Sequence, residues 1–186
     1  DVDGDALSYH LLGDAPEGVS FNNGAFTVSP LASDQALGQG QTRVVTFQYV
    51  ANDGQADSLP ATVQITINGV NDAPILTEAS AILTDGQENA TYTVTTAQLL
   101  QGFTDADGDL LNIANVSANH GTVTDNGNGT LTITPTANYN GSISLSYQVT
   151  DGKGGSVDAT QSFNLIKAVN VDTVGTTGGD MLHGGS

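Results

Sequence analysis

Asp105-Ala106-Asp107-Gly108-Asp109-Leu110-Leu111-Asn112-Ile113-Ala114-Asn115-Val116 repeats in kind the start of the chain, Asp1-Val2-Asp3-Gly4-Asp5-Ala6-Leu7-Ser8-Tyr9-His10-Leu11-Leu12. In both, three aspartates fall within five residues and an apolar, strand-like segment follows at once. Carboxylates this close repel by roughly 4 kcal/mol per pair at ~4 Å and an effective dielectric of about 20, so compact folding there asks for a cation or extensive solvation. A hard, oxygen-seeking ion such as Ca2+ is the natural partner.

The duplication extends beyond the two clusters. Asp1 maps to Asp105 and Pro30 to Pro135, at offsets of 104 and 105 residues, whereas Tyr49 maps to Tyr147 and Asp53 to Asp151, both at 98. One module is therefore used twice, with about seven extra residues in the first copy, placed in the polar loop 33–41. The expected division is a first domain over 1–70, a linker over 71–74, a second domain over 75–168, and a tail over 169–186. Pro74 blocks helix in the linker and makes it short, extended and stiff.

Both copies read as all-β. In copy one, residues 6–11, 19–21, 25–28, 43–50 and 61–67 are rich in Val, Ile, Phe and Thr and alternate with period two, punctuated by Asn22-Asn23-Gly24 and Asn52-Asp53-Gly54. Copy two repeats the scheme over 92–94, 110–116, 121–124, 130–134, 142–149 and 156–165, with Asn126-Gly127-Asn128-Gly129 as a hairpin signal. Only residues 96–103 carry a helical pattern, with Thr96 as the expected N-cap. Short strands with regularly spaced turns predict one β-sandwich per copy.

Composition narrows the function. The formal net charge is -17 and the only Lys and Arg residues are Arg43, Lys153 and Lys167, which argues against nucleic acid or an anionic membrane as a partner. Of 20 acidic residues, seventeen are Asp and only Glu17, Glu78 and Glu88 are Glu. Asp suits tight turns and cation loops because its carboxylate sits close to the backbone. With no cysteine there is neither a disulfide framework nor a thiolate metal site, and bound metal is an alternative staple. No apolar run approaches a membrane span, and the expected state is a monomer without membrane insertion. The chain begins and ends within recognisable patterns, which reads as a fragment of something longer.

Seven strings carry a family resemblance. Asp1-Val2-Asp3-Gly4-Asp5, Tyr49-Val50-Ala51-Asn52-Asp53-Gly54 and Asn71-Asp72-Ala73-Pro74 together resemble VCBS-type repeats of large bacterial surface proteins. The second copy resembles bacterial cadherin-like repeats through Phe103-Thr104-Asp105-Ala106-Asp107-Gly108-Asp109, Asn138-Tyr139-Asn140-Gly141 and Tyr147-Gln148-Val149-Thr150-Asp151-Gly152. The tail Gly178-Gly179-Asp180-Met181-Leu182-His183-Gly184-Gly185 resembles one unit of the RTX nonapeptide repeat. The order of these strings is similar to the C-terminal part of an RTX adhesin.

The resemblance implies two tandem immunoglobulin-like, cadherin-like β-sandwiches with Ca2+ at acidic loops and junctions. It also implies type I secretion and a place in an adhesin rod on the bacterial cell surface, with neighbouring repeats as partners and a role in adhesion or biofilm. Carried over residue by residue, the acidic loop falls on Asp105, Asp107 and Asp109, the aspartate after the tyrosine on Asp151, and the first-strand acid on Glu88. The copy-one equivalents are Asp1, Asp3, Asp5 and Asp53. There the opening strand and its acid are missing, which leaves an unpaired edge and an incomplete site.

The loops are not EF-hands, since Gly stands fourth and position twelve is Leu12 or Val116 rather than Glu. The competing reading of each is a solvated acidic turn, against which the duplication and the matching downstream aspartate weigh. Asn71 and Asp72 either coordinate an ion at the junction or form a polar turn before Pro74, and the first is the favoured reading. His10, His120 and His183 lack zinc spacing. No nucleophile elbow is present, and clustered metal-ligand aspartates stay ionised where an acid catalyst needs one neutral carboxyl, so no enzyme is expected. The leading expectation is a Ca2+-dependent extender. The alternative is a module that binds a host or biofilm peptide or glycan, resting on loop 33–41 and the incomplete shell at Asp1–Asp5.

Overall fold

The computed structural model describes residues 4–168. Copy one runs β1 (Ser8–Leu12), β2 (Val19–Asn22), β3 (Ala25–Val28), a 3-10 helix (Ala32–Ala36), β4 (Thr42–Asn52) and β5 (Ala61–Asn68). Copy two runs β6 (Ile75–Leu76), β7 (Gly86–Gln87), β8 (Tyr92–Thr95), α1 (Thr96–Leu100), β9 (Phe103–Thr104), β10 (Asn112–Ala118), β11 (Gly121–Asp125), β12 (Thr130–Pro135), β13 (Gly141–Thr150) and β14 (Ser156–Ile166).

Alternation builds copy two. Successive side chains of a strand point to opposite faces, so Ile143, Leu145, Tyr147 and Val149 of β13 all turn inward. They meet Phe163 and Leu165 of β14 in one sheet, ordered β10-β13-β14-β7. The facing sheet, β11-β12-β8, contributes Leu131, Ile133 and Val94. Leu99 of α1 plugs one side of this core, and the buried Tyr147 hydroxyl donates to its carbonyl at 2.9 Å. Burying each such side chain contributes about 1.5–3 kcal/mol. The result is an all-β, immunoglobulin-like sandwich.

Copy one is built on the same plan with less material. Ser8 of β1 faces Asn52 of β4, and Asn112 of β10 faces Thr150 of β13. Those pairs stand at the same offsets, 104 and 98, as the repeated sequence strings. Here β1-β4-β5 faces the β2-β3 hairpin, whose two-residue turn places Asn23 and Gly24 at positive φ. Phe26 is the hub of this small core, 5.1 Å from the Phe47 ring and 4.6 Å from Phe21.

Among the described residues, copy one pairs fewer strands than copy two. In copy two, β14 pairs with β7 in parallel and β12 pairs with β8, whereas β5 and β3 each have a partner on one side only among the described residues. The fully buried apolar residues accordingly concentrate in copy two, and Val63, Ile65 and Ile67 of β5 are only partly buried.

Two local expectations need correction. The helix is shorter than 96–103 and its N-cap is Thr95, whose hydroxyl accepts from Gln98 N at 3.1 Å while the Gln98 side chain accepts from Thr95 N. Phe103 lies in β9 instead, paired with Leu76. Loop 33–41 is partly ordered as the 3-10 helix.

Candidate metal centre

The loop before β10 folds around its first aspartate. Asp105 Oδ1 accepts from the backbone N–H of Asp107 at 2.9 Å and of Asp109 at 3.2 Å. Gly108, at φ +75, supplies the left-handed step that lets the chain curl in this way. The three carboxylates each present an oxygen to one point, the three atoms lying within 4.8 Å of one another.

Two other segments close on this loop. From the linker, Asp72 N donates to Asp107 Oδ2 at 2.8 Å and Asn71 Nδ2 donates to Asp151 Oδ2 at 2.7 Å. From the turn between β13 and β14, Lys153 Nζ sits 2.6 Å from Asp109 Oδ1. Asp151 is buried and anchors that turn, its Oδ1 accepting from Lys153 N at 2.7 Å and Gly155 N at 3.0 Å. The Asn71 amide and these backbone donors hold the Asp151 carboxyl below the usual carboxylate range. The contact with Asp109, helped by the charges of Asp107 and Asp105, pushes the Lys153 ammonium pKa up.

At this junction, four oxygens of the described residues remain without a partner. Asn71 Oδ1, Asp105 Oδ2, Asp107 Oδ1 and Asp109 Oδ2 are all shielded from solvent and accept no hydrogen bond. Buried polar atoms are ordinarily paired, so this orphaned set needs an explanation. Oxygen-only donors of mixed carboxylate and amide type suit Ca2+. The residues present therefore fit a bound Ca2+.

The expected ligands divide into three groups. Asp105, Asp107 and Asp109 come together in one space. Asn71 and Asp151 bond each other beside it, with the Asp151 oxygens taken by Asn71 and the turn donors, and Asp72 joins through its backbone, its side chain being exposed. Glu88 does not join them, which corrects its grouping with the Asp105 loop. It follows β7, where Glu88 N donates to Ile166 O and its carboxylate accepts from Ala168 N and Asn140 Nδ2. The whole of β14 separates that end from Asp151, about 30 Å at the usual rise per residue.

In copy one, Asp53 Oδ1 accepts from Gln55 N and Ala56 N, both at 2.7 Å, and these donors lower its carboxyl pKa. The β1–β4 register brings Asp5 toward that same turn, while Asp1 and Asp3 lie outside the described residues, as does the RTX-like tail. His10 is exposed, 3.7 Å from Asp57.

Sequence reasoning missed Lys153 as a member of the site, although a lysine two residues after Asp151 in so acidic a chain was a usable signal. It also missed the approach of Gly38 to Asp107, which no local pattern announces.

A family model for the cadherin-like domain matches residues 70–166, a little over half of the chain, and one for the bacterial Ig domain matches residues 1–66. No curated protein matches. Among solved structures, the endo-fucoidan hydrolase MfFcnA4 from glycoside hydrolase family 107 is 19% identical over 90% of this chain, with a TM-score of 0.38. The chain spans only 24% of that hydrolase's length. Human protocadherin-24 EC1-2 is 11% identical, with 91% of this chain and 85% of that one covered and a TM-score of 0.45. Protocadherin gammaB7 EC3-6 is 13% identical over 87% of this chain and 40% of its own, also with a TM-score of 0.45.

Proposed function

The chain belongs to the cadherin-like domain family, and from that premise we propose that it is a pair of calcium-stabilised extender modules from a secreted bacterial adhesin of the RTX type. Cadherin-like and bacterial Ig domains are extracellular adhesion or extender modules, and they are typically non-enzymatic. No described helix is long and apolar enough to cross a membrane.

The observation that carries the calcium reading is the set of four orphaned oxygens at the junction. Asn71 belongs to the linker and Asp105, Asp107 and Asp109 to copy two, so one ion would tie the connection to the sandwich. When bound, Ca2+ supplies the positive charge that the three carboxylates need in order to share one space. Asp105 shapes the loop through its Asx-type contacts, Asp72 N–H orients Asp107, and Asp151 fixes Asn71. Such sites in extracellular modules bind at about 10⁻⁴–10⁻³ M, so the chain would be loose in a low-calcium cytosol and stiff outside. Leu37 and Gly38 of loop 33–41 pack against Gly69 and Asp107, which supports the extender. The ligand-binding alternative rests on the rest of that loop, which is largely exposed, and on the shell at Asp1–Asp5.

Calorimetric titration of the metal-free chain with CaCl2 tests the reading. Saturable binding in the submillimolar to millimolar range, lost in Asp105→Asn and Asp109→Asn, is expected. Absence of saturable binding below about 10 mM, a concentration well above that of extracellular sites, would overturn it.

A further inference from the structure

We propose that residues 31–41 of copy one form a strap that positions Asp107 for the metal, so that calcium affinity at the junction depends on the fold of copy one. The inference rests on the calcium reading above and goes beyond it by assigning a role to a segment that supplies no ligand.

The strap is a built structure. Copy two turns from Pro135 to Gly141 through five residues, whereas copy one uses twelve between Pro30 and Arg43. The extra residues are ordered by Asp34, whose side chain is 4% exposed and takes a bidentate contact from Arg43 at 2.5 and 2.8 Å. Asp34 Oδ2 also accepts from Leu31 N at 2.7 Å, and Asp34 O accepts from Leu37 N at 3.2 Å. A planar guanidinium gripping one carboxylate fixes geometry as well as charge. That clamp aims the following residues.

Those residues run onto the linker and the metal loop. Gly69 N donates to Gln41 O at 2.9 Å, and Gly38 N donates to the Gln41 side-chain oxygen at 3.2 Å. A side chain on Gly69 would collide with the carbonyl oxygens of Leu37 and Gly38, so the two backbones touch without room for a methyl group. Gly38 in turn lies against Asp107: a Cβ at Gly38 would stand 3.3 Å from Asp107 Cγ and 3.4 Å from its Cβ.

Asp107 is thus held from two sides. Asp72 N–H engages its Oδ2, Gly38 backs its carboxyl carbon, and Oδ1 is the atom left unpartnered. Without support, repulsion from Asp105 and Asp109 drives this middle carboxylate outward into water. A ligand held in its bound rotamer before the ion arrives loses less entropy on binding, which raises affinity without adding a contact.

Two variants of the full chain test this while leaving every ligand residue in the sequence. In one, Gly38→Val inserts a branched side chain toward Asp107; in the other, residues 31–42 are replaced by the five residues 136–140 of copy two. Calcium Kd is read by calorimetry at a temperature where circular dichroism shows the metal-free variants folded, and the Asp107 amide is followed by NMR. Both variants are expected to bind with unchanged stoichiometry and a Kd weakened about five- to tenfold, the size of a typical coupling between sites. Ser33→Ala, on an exposed strap residue, should bind as the wild type does. Wild-type Kd in both folded variants would overturn the strap while leaving the calcium reading intact. Failure of the wild-type chain itself to bind calcium would overturn that reading and the strap with it.

Discussion

Asn71 and Asp151 stand eighty residues apart in the chain and 2.7 Å apart in space. The linker amide donates to an aspartate whose other hydrogen bonds order the β13–β14 turn, so the connection is fastened to copy two by a contact that needs no metal.

Asp151→Ala should therefore destabilise the protein whether or not calcium is present. It strips acceptors from Asn71 Nδ2, Lys153 N and Gly155 N, three partly buried hydrogen bonds made to one charged group. The melting temperature followed by circular dichroism is expected to fall by several degrees in EDTA as well as in calcium. Equal midpoints for wild type and variant in EDTA would contradict this.

Ligand variants should behave in the opposite way. Calcium at 10 mM stabilises the wild type by about 1.4–2.7 kcal/mol if Kd is ~10⁻³–10⁻⁴ M. That corresponds to a midpoint rise of roughly 5–15 °C for a domain of this size. Asp105→Asn is expected to match or exceed the wild-type midpoint in EDTA, because repulsion is relieved, and both it and Asp109→Asn, which also gives up the Lys153 ion pair, to lose the calcium increment.

Lys153→Met separates the two cations that the site can use. The ammonium at 2.6 Å from Asp109 offsets the acidic cluster internally and competes with an incoming ion. Removing it should lower the midpoint in EDTA and tighten calcium binding several-fold in the calorimeter. Weaker calcium binding in the variant would show Lys153 to be a support of the site and not its competitor.

The acid limb of stability should carry the signature of Asp34 and Asp53. The Arg43 contact lowers the Asp34 carboxyl pKa, and backbone donors from Ala56 and Gln55 lower that of Asp53. A group whose folded pKa lies below its unfolded value contributes fully above the unfolded value, near 4, and loses its contribution as pH falls through the folded one. The copy-one midpoint in EDTA is thus expected to be flat from neutral pH down to about 5 and to fall steeply below about 4. Asp34→Asn should lower the neutral-pH midpoint and flatten that slope.

Much of this fold was readable from sequence because inward residues recur with period two, as Ile143, Leu145, Tyr147 and Val149 do. What escaped was too short or too distant to leave a pattern. The two-residue strands β6, β7 and β9 show no periodicity, and β7 joins β14 through a parallel pairing across most of the copy. The N-cap is Thr95 and not the adjoining Thr96, because the reciprocal bond with Gln98 decides between two neighbouring threonines that the sequence pattern does not distinguish.

At the candidate site, local charge density was enough to mark Asp105, Asp107 and Asp109 as a cluster, and the repeat register marked Asp151, which the structure shows fastening Asn71 and its own turn. Glu88 was placed by resemblance and stands at the other end of β14. Lys153 and Gly38 depend on how three separate segments meet, which composition and spacing do not encode.

The parallel contact of β7 with β14 also sets how copy two would carry tension. The chain enters this copy where Ala73 abuts Gly155 and leaves at Ile166, beside Gln87, so entry and exit lie at opposite poles. A pull on both ends slides β7 along β14, loading their cross-strand bonds together in shear and not one at a time. Copy one has no such neighbour along β5 among the described residues, so under the same pull it would be the softer of two springs in series.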